Sequence, residues 1–152
     1  MGLEVRKSSY SEASADPDFE GLVTAYAIES SIAGLPTPKG NGDSYIALEN
    51  AGLMYSYCAY LDDKMIGFAN ALVVVMPHYG EKVATMESWF VAEAHRHTGV
   101  GLQLKKQIEV TVKEAGAVGI LVSTPMNSTL AKVMERQKSY VESHRVFFKA
   151  LA

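Results

Sequence analysis

Apolar and polar residues alternate along Leu3-Glu4-Val5-Arg6-Lys7, which predicts a short opening strand. Asp16-Pro17 then supplies a helix start, because Asp can cap and Pro suits a first turn. Phe19, Leu22, Val23, Tyr26 and Ser30 follow at helical spacing and form one stripe. Residues 34–43, GLPTPKGNGD, hold three glycines and two prolines, so they read as a surface loop. A short helix over 44–50 follows and ends at Gly52. Two strands, 54–61 and 65–75, flank Asp62-Asp63-Lys64 as a hairpin, and a loop at 77–81 leads to a third strand over 83–91. Leu104, Ile108, Val112 and Ala115 then recur at about i, i+4, and Gly116 closes that helix. A β-branched strand at 118–124, a helix at 128–137 and a terminal strand at 141–151 complete the order β-α-α-β-β-β-α-β-α-β. Strands that run consecutively before helices alternate place the chain among α+β or mixed α/β domains.

Composition narrows this picture. A chain of 152 residues with 48% hydrophobic content has material for one core, so a single domain over 1–152 is expected. One cysteine excludes an intramolecular disulfide and a Cys-ligated zinc site. Fourteen basic against seventeen acidic side chains argue against a dedicated nucleic-acid binder. The first twenty residues hold no secretory signal, and Arg6 stands where a myristoylation motif wants Ser or Thr. The longest apolar run, 69–76, is interrupted by Asn70 and too short to span a bilayer. A cytoplasmic protein with no membrane partner and no metal is the expectation.

The chemistry concentrates in residues 90–102, FVAEAHRHTGVGL. A strand runs into a loop with two glycines, and an amphipathic helix begins on the second. This gathers unpaired backbone N–H groups at a helix N-terminus, where the dipole favours negative charge. Glycine lets such a backbone approach a phosphate closely. A dinucleotide fingerprint would need glycine at Leu104, and a nucleotide-hydrolase loop would need Lys-Ser/Thr where Leu102-Gln103 stand. What remains is Arg96-x-x-Gly99-x-Gly101 between a strand and a helix, a spacing that an ordinary turn can also show.

These residues resemble the GNAT superfamily of N-acetyltransferases, whose cofactor motif Gln/Arg-x-x-Gly-x-Gly/Ala is met by Arg96, Gly99 and Gly101. Val91 and the approach Ala92-Glu93-Ala94-His95 match the usual Val-x-Pro-x-x-Arg run, with Glu93 in place of the proline. Asn127, followed by a helix and a Tyr140-centred strand start, fits the second half of the family. His78-Tyr79 and Phe147-Phe148-Lys149-Ala150-Leu151 add a looser likeness to small GNAT proteins of tailed phages. The resemblance implies a GNAT-like acyl-CoA N-acyltransferase fold, a mostly antiparallel central sheet flanked by helices. It implies acetyl-CoA as donor, with the amides of His97, Thr98, Gly99, Val100, Gly101 and Leu102 on the pyrophosphate. Phe90 and Val91 would hold the pantetheine arm through their backbone, with Asn127 near it where the two central strands diverge. Lys105 and Lys106 are candidates for the 3′-phosphate, although solvated helix lysines fit the spacing as well. The acceptor would be a primary amine, on a small molecule or a protein, and a homodimer through terminal strands is the family's habit.

Glu87, four residues before Val91, is the base candidate, where many relatives carry a Glu. Strict alternation puts Thr85, Glu87 and Trp89 on one face and Met86, Ser88 and Phe90 on the other. The family's usual acid tyrosine, seven residues after the asparagine, is here Met134, which cannot donate a proton. Tyr79, His78, Ser128 or water are the substitutes, unless the thiolate leaves unaided. Loss of the acid also raises the alternative of a non-catalytic acyl-CoA-binding or partner-binding module. A third reading, modification of a nucleobase amine or a phage–host effector role, rests on the phage likeness alone. Cys58 reads as core, His95 and His97 as solvated, and Tyr55, Tyr57 and Tyr60 as one partly exposed sheet face.

Overall fold

The computed structural model describes residues 2–151. Five segments form strands: β1 (Leu3–Lys7), β2 (Met54–Leu61), β3 (Lys64–Met76), β4 (Glu81–Val91) and β5 (Ile120–Leu121). They lie side by side in chain order, with β1 to β4 antiparallel and β5 parallel to β4. Helices α1 (Tyr10–Ser14), α2 (Phe19–Ser30) and α3 (Gly42–Asn50) precede β2. A 3-10 turn (Glu93–Thr98) and α4 (Val100–Glu114) follow β4, and α5 (Thr129–Glu135) follows β5. A mixed α/β domain with a mostly antiparallel sheet is therefore what the chain forms.

Two apolar layers fix the helices on the sheet. Leu104, Ile108 and Val112 of α4 are buried over Ile66, Ala69, Ala71, Val73, Met86 and Val91. Small alanines at the sheet's centre let the long side chains of α4 seat closely. On the opposite face Leu22 of α2 and Ala13 of α1 pack over Cys58, Tyr60, Met65, Phe68 and Phe90. The β2–β3 hairpin turns on Asp62 and Asp63 alone, at φ 49° and 66°. Paired left-handed residues match the twist of the flanking strands, and Asp tolerates that conformation. Lys64, expected in the turn, is already the first residue of β3.

Several expectations need correcting. The opening helix α1 was not predicted, although Ser9 and Glu12 form a reciprocal capping box legible in the sequence. The strand expected over 118–124 is reduced to Ile120 and Leu121, which pair with Ala84 and Thr85. Beyond that point β4 bulges, and Pro125 carries no N–H for a ladder. Residues 141–151 form no strand. The two-residue β5 offers them no edge to pair with, and Val146, Phe147 and Leu151 remain 85%, 88% and 92% exposed. The tyrosines do not share a face either. Tyr55 and Tyr57 lie under α4, whereas Tyr60 is buried on the other side with the Arg6 guanidinium over its ring. The odd spacing alone accounts for this, since Ala59 shares the face of Tyr55 and Tyr57 and Cys58 that of Tyr60.

The closest backbone approach occurs at Gly67, opposite Val91 in the β3–β4 ladder. A Cβ there would stand 2.7 Å from the carbonyl oxygen of Phe90, which as backbone cannot step aside. Gly67→Ala is expected to cost about 1–3 kcal/mol through overpacking, read as a lower urea midpoint at unchanged slope.

Candidate functional site

The site is organised by one extra residue in β4. Asn70 faces Ser88 and Ala71 faces Met86, so Glu87 has no partner on β3 and forms a bulge. The bulge shifts the alternation by one. Met86 and Trp89 both face the α4 side, while Phe90 packs under α2. Glu87 and Ser88 open together into a cavity beneath α1, α2 and α3. The strict alternation that put Glu87 beside Trp89 therefore fails, because that pattern assumes an unbroken ladder.

This cavity holds about 340 Å³. The Tyr45 hydroxyl, on α3, donates to Glu87 Oε1 at 2.7 Å, while Glu87 Oε2 is buried with no partner. The Asn70 amide donates to Ser88 Oγ at 2.7 Å beside it. Burial raises the Tyr45 hydroxyl well above the ordinary tyrosine range, and the hydrogen bond to Glu87 adds to this. Burial also raises Tyr26, with the charge of Glu87 as second cause. Tyr45 thus serves as a neutral donor to the carboxylate, and Tyr26 stands near it without a hydrogen bond. Tyr26 and Tyr45 were not singled out from the sequence. Tyr45 lies forty-two residues from Glu87, and no local spacing signals such a contact.

On the other side of β4 the glycine loop builds a second feature. The 3-10 turn ends at Gly99, whose φ of 80° is the left-handed conformation that favours glycine, and α4 starts at Val100. The Gln103 amide makes the first bond back, to the Gly99 carbonyl at 3.3 Å. The amides at the start of α4, Gly101 and Leu102 among them, thus form the helix N-terminus where an anion is favoured. Trp89 Nε1 donates to the Gly101 carbonyl at 3.0 Å and ties this first turn to β4. Thr98 Oγ1 donates to the His95 carbonyl at 2.6 Å, and the Val100 amide donates to the same hydroxyl.

Arg96 is occupied locally. Its Nε donates to the Val91 carbonyl at 2.9 Å, its Nη2 pairs with Glu29 at 2.6 Å, and its guanidinium lies over the Phe90 ring. The arginine holds the loop against β4 and α2, and its side chain faces these partners. His97 is exposed on the loop and His95 half-buried. Among the described residues no group of three or more His, Cys, Asp or Glu is arranged to hold a metal ion.

Ladder bonds between β4 and β5 stop at Thr85 and Leu121, so the stretch of β4 holding Phe90 and Val91 is unpaired on that side. Asn127 lies beyond β5 at φ 58°, exposed, immediately before Ser128. Ser128 caps α5 by accepting from the Ala131 amide. The acid substitutes fare poorly in this geometry. Ser128, which accepts from the Ala131 amide at the start of α5, does not line the cavity, and His78 and Tyr79 sit in the turn before β4. At about 3.3 Å per residue these two side chains start more than about 20 Å along the chain from Glu87. Tyr140 donates to Glu109 Oε2 at 2.6 Å instead of facing the cavity. Lys105 corrects the reading of a solvated helix lysine: it is 6% exposed, paired with Glu109 at 3.0 Å and set over the Tyr140 ring. Lys106 is exposed as expected.

The comparisons with known proteins agree with this geometry. The model of the Acetyltransferase (GNAT) family matches residues 22–137. Sequence comparison with curated proteins finds no match. Among solved structures the chain is similar to a ribosomal-protein-alanine N-acetyltransferase from Brucella melitensis biovar Abortus 2308, at 15% identity and TM-score 0.73, covering 98% of this chain and 99% of that one. It is also similar to the aminoglycoside acetyltransferase AAC(6')-Iy in complex with a CoA bisubstrate analogue, at 21% identity and TM-score 0.72, covering 98% and 97%. A third likeness is to glucosamine-6-phosphate N-acetyltransferase from Arabidopsis thaliana, at 12% identity and TM-score 0.75, covering both chains in full. Identities this low carry the fold and not the acceptor.

Cys58 also lines the cavity, yet is buried with its thiol pushed up to about 11 by desolvation. At pH 8 roughly one thiol in a thousand is then ionised, against about a quarter for a free cysteine. A disulfide reagent such as DTNB is expected to label the native protein slowly at pH 8, faster as pH rises toward 11, and at once in denaturant. Rapid native labelling at pH 8 would contradict the buried placement.

Proposed function

This chain belongs to the acetyltransferase (GNAT) family, and from that membership we propose that it is an N-acetyltransferase acting by direct transfer from acetyl-CoA to a primary amine. The observation that carries the reading is Glu87, a carboxylate with one buried oxygen free of partners, in a cavity backed by the same strand that supports the glycine loop. When bound, acetyl-CoA supplies an acetyl thioester whose C–S bond is exchanged for a C–N bond, releasing the CoA thiol.

The residues present fit such a donor. The amides of His97, Thr98, Gly99, Val100, Gly101 and Leu102 would receive the pyrophosphate at the start of α4. Phe90 and Val91 would offer unpaired backbone to the pantetheine amides where β4 has parted from β5, with Asn127 on the opposite wall. Arg96 acts as a positioning residue, through the Val91 carbonyl and Glu29. Glu87 accepts the proton that the acceptor ammonium must lose, while Tyr45 holds its other oxygen in place. A cytoplasmic setting suits this donor. No helix among the described residues is long and apolar enough to cross a membrane.

A second reading, a non-catalytic acyl-CoA-binding or partner-binding module, is favoured by one observation. Met134 stands in the acid position, and the nearby Tyr140 hydroxyl is engaged by Glu109. An enzyme built this way relies on the thiolate leaving without an acid, which a thiol pKa of about 8.5 permits.

Two measurements separate these readings. Acetyl-CoA at millimolar concentration is expected to raise the melting temperature by mass action. Glu87→Gln should keep that shift yet lower amine-dependent CoA release by about 10²- to 10⁴-fold, the usual worth of a general base. An unchanged rate removes Glu87 from the base role, and absence of any thermal shift sinks both readings.

A further inference from the structure

The walls of the cavity narrow the acceptor, an inference that rests on the N-acetyltransferase reading. Among the residues lining the cavity, Glu87 is the only carboxylate, and Lys39 contributes a cation from the loop before α3. The remaining walls are uncharged, with rings set among the hydroxyls of Ser8, Ser9, Ser30, Ser56 and Ser88 and the Asn70 amide. Tyr10 and Tyr45 stack in parallel at 5.1 Å between centroids, Phe19 meets Tyr10 edge-on at 5.7 Å, and Tyr26 meets Phe68 edge-on at 5.5 Å.

One ammonium group fits this arrangement, and a second does not. Glu87 Oε2 is buried without a partner, and a charge-assisted hydrogen bond from an ammonium would satisfy it. Aromatic faces nearby favour both the cation and an apolar body attached to it. A polyamine or aminoglycoside would bring further ammonium groups into a cavity lined by no second carboxylate and toward Lys39, and burying an unpaired charge is costly. The volume of about 340 Å³ lies near the lower limit of small-molecule sites, roughly 300–1,000 Å³, enough for one ring and a short chain. We propose that the acceptor is a small monoamine, a single primary ammonium on an aromatic or branched apolar body. A peptide N-terminus would instead extend its following residues beyond a volume of about 340 Å³.

The test compares phenethylamine, tyramine and isoamylamine with spermidine, neamine and the peptide Phe-Gly-Gly-amide. CoA release from acetyl-CoA is measured alongside calorimetric titration of each amine onto the free protein. The monoamines are expected to exceed spermidine and neamine by about tenfold or more in kcat/KM, and to bind in the same order. Lys39→Glu, at an exposed loop position, adds a second carboxylate at the cavity. It should improve spermidine several-fold, with an effect that fades as salt is raised.

The outcomes separate cleanly. Turnover that favours spermidine or neamine overturns the monoamine class and leaves the acetyltransferase reading intact. Preference for the peptide overturns the class equally. Monoamine binding in the expected order, with no CoA release from any amine, supports the inference about the cavity and defeats the transfer reading. Failure of the monoamines both to bind and to react overturns the inference, and spermidine unaffected by Lys39→Glu removes its electrostatic basis.

Discussion

A single unpaired residue in β4 governs how the two halves of this molecule relate. Because Glu87 has no counterpart on β3, the side chains before and after it change faces. Met86 and Trp89 then support α4 together, while the carboxylate is released into the opposite cavity. An uninterrupted strand would have set Glu87 and Trp89 on one face. The bulge costs one ladder position and in return gives the strand a different role on each face of the sheet.

Around that strand the helix side and the cavity side use different physics. On the α4 side, backbone geometry dominates: a left-handed glycine, the start of a helix, and an indole that pins its first turn. Arg96 adds a side-chain clamp between the Val91 carbonyl and Glu29, while of the loop amides Val100 is bonded to the Thr98 hydroxyl. On the cavity side, desolvation dominates. Two phenols, which burial pushes further from ionisation, stand near one carboxylate, and the low polarity strengthens the hydrogen bond that Tyr45 gives it.

How much of this the sequence disclosed follows from range. The glycine loop, the hairpin at Asp62-Asp63 and the stripe of α4 are local patterns, and each produced an element close to where the pattern lies. GNAT membership was legible for the same reason, since Arg96, Gly99 and Gly101 fall within six residues. Relations between distant segments were not legible. The contact of Tyr45 with Glu87, the bulge that turns Glu87 around, and the burial of Lys105 between Glu109 and Tyr140 each depend on how separate elements meet. The missing strand at 141–151 teaches the converse. Alternating apolar residues form a strand only when a partner supplies backbone groups and a surface to cover.

The brevity of β5 has a bearing on how the folded chain behaves in crowded solution. An open sheet exposes two margins, and each is a template on which a foreign strand can grow. Here one margin is β1, which carries Glu4, Arg6 and Lys7 among its five residues. The other is a strand only two residues long, too short to register an incoming chain. The longest strand, β3, is enclosed, whereas β4 is covered by β5 only at Ala84 and Thr85. A sheet terminated in this way offers foreign strands little at its two ends and concentrates its free backbone groups in the run of β4 beyond Thr85.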